Sequence, residues 1–183
     1  MLDGALITQT VRQATHADEQ HLYDLLVDLH AKNKSGWGIP FDYEVVMAWI
    51  EIGTRPTFAT RTNPNDRRVG WICVIGPEGG RLLGTVGVFV QPAAWFAHQA
   101  VALVELWLYV RPEARGQGYE RKLFAFADEK HQAMKGALAK TDYRLPFPLQ
   151  TGFMHKGERF STMVELWRRM SRAKMVGVLF TKD

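Results

Sequence analysis

The stretch from Val101 to Met134 constrains the fold more than any other. Its first part, VALVELWLYV, is apolar on both alternating faces except at Glu105. Such a run reads as a strand in the interior of a sheet, not at its edge. The turn-rich segment Arg111-Pro-Glu-Ala-Arg-Gly-Gln-Gly118 follows, and then Leu123, Phe126, Ala127 and Met134 fit the buried face of a helix beginning at Tyr119. Strand, short loop and helix in that order make a crossover that lays the helix on the sheet.

The remaining elements are assigned by the same signals. Val11–Ala14 reads as a first strand. Thr15-His-Ala-Asp18 places an acid three residues after a Thr cap, a helix start. Leu22, Leu25, Leu26 and Leu29 give that helix one apolar face, and it should end near Lys32–Ser35. A second helix is predicted over Asp42–Ile52, with Val45, Val46, Trp49 and Ile50 inward and Gly53 and Pro56 closing it. Thr57–Thr60 is expected to begin an edge strand. Gly70–Ile75 and Leu82–Val90 read as a hairpin around Gly76-Pro-Glu-Gly-Gly80. Gly84 and Gly87 inside it mark a bulge or a close backbone approach. The connection 91–100 carries Trp95 and Phe96, which fit an acceptor pocket, a subunit contact or a loop anchor. A short strand is expected within 136–153. Ser161 caps a last helix bearing Met163, Leu166, Trp167 and Met170, and Lys174–Thr181 is a closing strand. The order predicts an α/β (α+β) fold, a sheet with helices on both faces, as a single domain over 1–183 with a short arm at 1–9.

Composition narrows the function classes. One cysteine in 183 residues excludes an intrachain disulfide and a cysteine-rich zinc site. Cys73, in the apolar run WICVI, reads as a small buried thiol. The net charge of +4 leans toward anionic partners, but it is scattered, densest at Arg168, Arg169, Arg172 and Lys174. Without a recognition helix, zinc spacing or long basic arm, nucleic acid is not an expected partner. MLDGALITQT lacks the basic start and apolar stretch of a secretion signal, and VALVELWLYV is too short to span a bilayer. A soluble, cytoplasmic protein is therefore expected. No His pair shows metal-ligand spacing with an acid, so no metal is predicted. His98 and His155 lie in predicted loops and read as ordinary surface histidines.

The loop at 111–118 has its own chemistry. Gly116 and Gly118 permit positive φ and close approach of a ligand. Backbone N–H groups of the loop and of the next helical turn point outward, and the helix dipole adds partial positive charge. Arg115 can add a full one. Together these suit a phosphate or pyrophosphate; the plainer alternative is a glycine-assisted turn with an incidental Arg. The segment is not a Walker loop, which needs Gly-Lys-Ser/Thr, nor a dinucleotide fingerprint.

The strand followed by Val110-Arg-Pro-Glu-Ala-Arg115-Gly116-Gln117-Gly118 and an amphipathic helix resembles the acyl-CoA-binding motif of the GNAT superfamily of N-acetyltransferases. The element order resembles that family over nearly the whole chain. The resemblance implies a mixed, bent sheet whose central strands splay apart, with acetyl-CoA as co-substrate. It implies that Leu108, Tyr109 and Val110 dock pantetheine through their backbone. It implies that the amides of Arg115, Gly116, Gln117, Gly118, Tyr119 and Glu120 hold the pyrophosphate. Two positions depart from the family pattern. Glu120 stands where a small residue is usual. Trp167 replaces a Tyr that serves as general acid; it can only add to an apolar wall around pantetheine.

Acetyl transfer to an amine needs a base, because an amine of pKa about 10.4 is mostly protonated at neutral pH. Glu105, a carboxylate in an apolar strand, is the candidate, acting through water. Strict alternation places it on one face with Trp107 and Tyr109 and puts Leu106, Leu108 and Val110 on the other. A backbone N–H near Tyr109–Val110 is the candidate oxyanion donor. Tyr109, Tyr119 and Tyr143 are the alternatives for the proton that Trp167 cannot give. The acceptor is a small-molecule or protein amine. The rival reading is a GNAT-fold binding or structural subunit of a larger assembly, or a homo-oligomer.

Overall fold

In a computed structural model, five strands form one sheet in the order β1-β2-β3-β4-β5. They are β1 Val11–Gln13, β2 Gly70–Ile75, β3 Gly84–Pro92, β4 Val101–Val110 and β5 Gln150–Thr151. Three helices accompany them among the described residues: α1 Glu19–Lys32, α2 Tyr43–Thr54 and α3 Tyr119–Leu138. The structure describes residues 10–32, 40–92, 99–143 and 150–151, all within a unit spanning Met1–Gly152. The predicted last helix with Trp167, the closing strand, Trp95, Phe96, His98 and His155 lie outside the described residues.

β1 through β4 pair antiparallel, and β5 joins β4 in parallel, so the sheet is mixed. Helices cover both faces. One core joins α1 and α2 to the sheet through Leu22, Leu25, Ile50, Ile52, Ile72 and Phe89. The other joins α3 through Leu123 and Ala127 to Cys73, Val86, Val88 and Leu103. β4 thus lies between two apolar layers, which explains why its sequence is apolar on both faces.

The entry to α1 is fixed by a buried carboxylate. Asp18 takes both Arg12 nitrogens at 2.7 Å, the Thr15 amide at 2.8 Å and the Gly79 amide at 3.1 Å. Burial opposes its ionisation, but Arg12 and these amides outweigh burial and hold the carboxyl below its ordinary value. Glu19, one residue on, is held down in the same way by Arg55 and Thr54. The 3₁₀ turn His16–Asp18 leads directly into α1.

Three details differ from the sequence expectation. Val45 is exposed, because Asp42 caps α2 through the Val45 amide and the inward stripe runs through Val46, Trp49 and Ile50. Gly53 does not end α2. It lies inside the helix where a Cβ would fall 2.3 Å from Ile72 Cγ1, so glycine lets α2 approach β2. Thr57–Thr60 is not strand; Phe58–Thr60 is a 3₁₀ turn. Arg61, buried beneath it, donates to the carbonyls of Arg55, Asp66, Arg68 and Ile52 and thereby fixes the loop.

The fourth difference concerns the faces of β4. The β3–β4 register pairs Gly87 with Trp107 but Val88 with Glu105, which leaves Leu106 as an extra residue in β4. Such a bulge reverses the facing of everything on one side of it. Glu105 lies opposite Val88 on the α3 side, whereas Leu106, Trp107 and Tyr109 pack on the α1/α2 side. Glu105 therefore does not share a face with Trp107 and Tyr109. Gly87 accommodates the bulge: a Cβ there would fall 2.4 Å from the Trp107 ring.

The Gly53–Ile72 approach yields a stability prediction. Gly53→Ala should destabilise the fold by about 1–3 kcal/mol through overpacking against a fully buried Ile72, despite the better helix propensity of Ala. Urea denaturation at constant slope checks this; a variant as stable as the parent would mean that α2 and β2 separate freely.

Candidate active site

The loop between β4 and α3 has the expected shape. Pro112–Ala114 forms a 3₁₀ turn, and Gly116 and Gly118 adopt φ of 78° and 76°, the left-handed region that favours glycine. A Cβ at either glycine would meet nothing within 4 Å, so the loop surface faces open space. The first helical bond of α3 runs from the Lys122 amide to the Gly118 carbonyl. The amides from Gly116 to Arg121 have no hydrogen-bond partner among the described residues. Six successive N–H groups on a glycine-shaped turn at a helix N-terminus form an anion cradle. Arg115 donates Nε to the Val110 carbonyl, which anchors its guanidinium beside the cradle. Tyr119 is a core residue of the α3 layer, so only its amide belongs to the cradle. Glu120 is half-exposed in the first turn of α3.

The open edge of β4 leads toward this cradle. The Arg111 amide bonds to Leu83 and the Tyr109 carbonyl faces Gly84, so odd-numbered residues here bond toward β3. Leu108 and Val110 therefore present their amides to the other edge. Among the described residues β5 pairs with β4 only at Val104 and Glu105. Leu106, Trp107 and Leu108 are only half-buried, although they lie in an interior strand. Of the candidate oxyanion donors, the Val110 amide is on this edge and the Tyr109 amide is not.

Glu105 sits where the β5 pairing ends. Its residue is 5% exposed and its Oε2 has no hydrogen-bond partner. Burial pushes its carboxyl up to about 8. A carboxylic acid of that strength changes its charge near neutral pH, which suits proton transfer. Cys73 has no such property: burial pushes its thiol up to about 12, and it stays protonated. Among the described residues no group of three or more His, Cys, Asp or Glu side chains could hold a metal ion.

Sequence reasoning missed a polar cluster on the opposite face of β4. Asp28 Oδ2 accepts from Tyr109 Oη at 2.5 Å, Lys32 Nζ at 2.9 Å and Arg111 Nη1 at 3.1 Å. Lys32 Nζ also donates to Tyr109 Oη at 2.8 Å. The Tyr109 hydroxyl is thus committed to α1, and burial, followed by Asp28, raises its pKa. The i,i+4 spacing of Asp28 and Lys32 was the available signal. Nothing in the sequence indicated that β4 would supply the other two members. Tyr143, the remaining tyrosine alternative, is exposed beyond the C-terminal end of α3.

Comparison with known proteins adds an independent line. A family model described as the acetyltransferase (GNAT) family matches residues 23–142. No curated protein sequence matches. A Trypanosoma brucei acetyltransferase superposes with a TM-score of 0.58 at 15% identity, covering 96% of this chain and 99% of that one. The aminoglycoside N-acetyltransferase AAC(6')-Iy, solved with CoA, gives a TM-score of 0.54 at 12% identity, covering 96% and 94%. An aminoglycoside acetyltransferase from an uncultured soil metagenomic sample, solved with sisomicin, gives 0.53 at 13% identity, covering 96% of each chain. At such identities these structures share the fold: an α+β arrangement of three helices and a mixed sheet.

Glu105 makes a prediction that needs no substrate. Between its ordinary value of 4.5 and about 8, the folded chain holds a proton that the unfolded chain has lost. Stability therefore falls as pH rises through that window. Glu105→Gln should gain on the parent by up to about 1.4 kcal/mol per pH unit between pH 5 and pH 8, and no further above it. Paired denaturation series at several pH values measure this. A difference independent of pH would show that Glu105 is ionised throughout.

Proposed function

Because this chain belongs to the acetyltransferase (GNAT) family, we propose that it is an acetyl-CoA-dependent N-acetyltransferase acting on a primary amine. The observation that carries the reading is the run of unpartnered amides from Gly116 to Arg121 on an open, glycine-shaped turn. Those donors fit the pyrophosphate of coenzyme A, with Arg115 alongside to balance its charge. The outward amides of Leu108 and Val110 fit the amide-bearing pantetheine arm. Trp167 would line that arm, within one acyltransferase domain over 1–183.

Acetyl-CoA, when bound, supplies the acyl group already activated as a thioester. The chain's residues supply position and proton transfer. Glu105 in its ionised form takes a proton from the acceptor ammonium through water. The freed nitrogen lone pair attacks the carbonyl carbon, the carbon–sulfur bond breaks, and the thiolate leaves to be protonated by solvent. The Val110 amide, on the open edge, stabilises the carbonyl oxygen as it gains charge. Tyr109 serves by position, since its hydroxyl already donates to Asp28. The acceptor is a small-molecule or protein amine encountered in the cytoplasm. Aminoglycosides, named for two of the similar structures, are one such class.

Two measurements test this reading. Millimolar acetyl-CoA should raise the melting temperature by several degrees, since saturation at a hundred times Kd adds about 2.7 kcal/mol. Gly118→Trp, which fills the open space at the cradle, should abolish that rise while keeping its far-UV spectrum. A rise of equal size in Gly118→Trp would remove the cradle from the account. In acetyl transfer, kcat should climb with pH to a plateau near pH 8, because Glu105 acts only when ionised. Glu105→Gln should lower kcat at least ~100-fold; unchanged turnover would refute the base assignment.

A further inference from the structure

The cluster built on Asp28 is unbalanced in charge and incompletely used. One carboxylate faces two cations, Lys32 and Arg111, and all three of its contacts fall on the single oxygen Oδ2. Arg111 spends Nε on the Leu82 carbonyl and Nη1 on Asp28, so its Nη2 group is unspent. Lys32 spends two of its three N–H bonds on Asp28 and Tyr109. Its side chain remains 44% exposed. The cluster is rigid where it matters. Tyr109 is 4% exposed and holds Asp28 from below, and Lys32 lies 5.6 Å above its ring. Two donors and a net positive charge therefore face solvent from a fixed frame.

The placement is also specific. Tyr109 and Arg111 flank Val110, whose amide lies on the open edge of β4. The cluster sits on the α1 side of that strand end, and the cradle opens from the α3 side. An amine reaching this part of β4 without using the cradle would pass Lys32 and Arg111. A polycation would be repelled there, because Asp28 already has more positive partners than it can neutralise. A carboxylate would accept one N–H from Lys32 Nζ and one from Arg111 Nη2, a charge-assisted pair of bonds.

We propose that Asp28, Lys32, Tyr109 and Arg111 form an acceptor subsite for a carboxylate, so that the substrate is an amine carrying an acid group, such as a free amino acid. Lys32 and Arg111 bind the acid; Asp28 and Tyr109 position them. The proposal rests on the acyltransfer reading and narrows its substrate class.

The test uses the full chain, with the common amino acids and their carboxamides as matched acceptors. Carboxylates should exceed carboxamides at least tenfold in kcat/KM. Lys32→Met should erase that preference by raising KM for the acid, and Lys32→Arg should keep most of it. Both variants should retain the rise in melting temperature with acetyl-CoA, which shows that they fold and that the cradle works. Equal use of carboxamides, preference for diamines or polyamines, no turnover of any carboxylate-bearing amine, or an unchanged ratio in Lys32→Met would each overturn the subsite. Loss of the acetyl-CoA response in the parent protein is a different result. It would overturn the acyltransfer reading itself, and the subsite with it.

Discussion

One extra residue in β4, at Leu106, sets the faces on which the site depends. Without it, Glu105 would point with Trp107 and Tyr109 toward α1 and α2. With it, Glu105 turns beneath α3 while Leu106 and Trp107 both face the other layer. A carboxylate is thereby buried where no cation or amide reaches it, and burial alone raises its pKa. An unpaired acid in such a place is costly, so a purely structural strand would favour an apolar residue at 105. Gly87 makes the bulge compatible with a bulky Trp107. The proton chemistry proposed for this chain therefore begins with backbone register.

The layer on the other face is held by ion pairs of a different kind. Arg12 with Asp18 and Arg55 with Glu19 tie the start of α1 to β1 and to the end of α2. These carboxylates are well supplied with donors and stay ionised, in contrast to Glu105. Breaking one partner of such a pair typically costs about 3–5 kcal/mol when it is fully buried. Their consequence for the site is positional. With its start fixed, α1 delivers Asp28 and Lys32 to the end of β4, where Tyr109 and Arg111 meet them.

Much of this architecture was legible in the residues. The interior strand Val101–Val110 and the hairpin strand Gly70–Ile75 were read with their observed limits, because apolar runs bounded by turn residues leave little choice. The cradle was legible because glycines at a strand-to-helix turn have few other uses. The facing of Glu105 was not, since a bulge is a property of two paired strands and period-2 alternation in one strand cannot reveal it. Gly53 was misread as a helix terminator because its purpose, room for Ile72, is a long-range contact. The Asp28 cluster was invisible for the same reason: its members lie on two elements far apart in sequence. Thr57–Thr60 looked like strand by β-branching, but the carbonyls gathered by Arg61 decided otherwise.

The central claim is that backbone donors, already in place and unspent, receive coenzyme A. Amide hydrogen exchange with and without acetyl-CoA tests it most directly. The account predicts slowed exchange at the amides from Gly116 to Arg121 and at Leu108 and Val110, with little change at Tyr109 and Arg111, which already bond toward β3. Binding of acetyl-CoA that leaves the 116–121 amides exchanging at their free rate would contradict it.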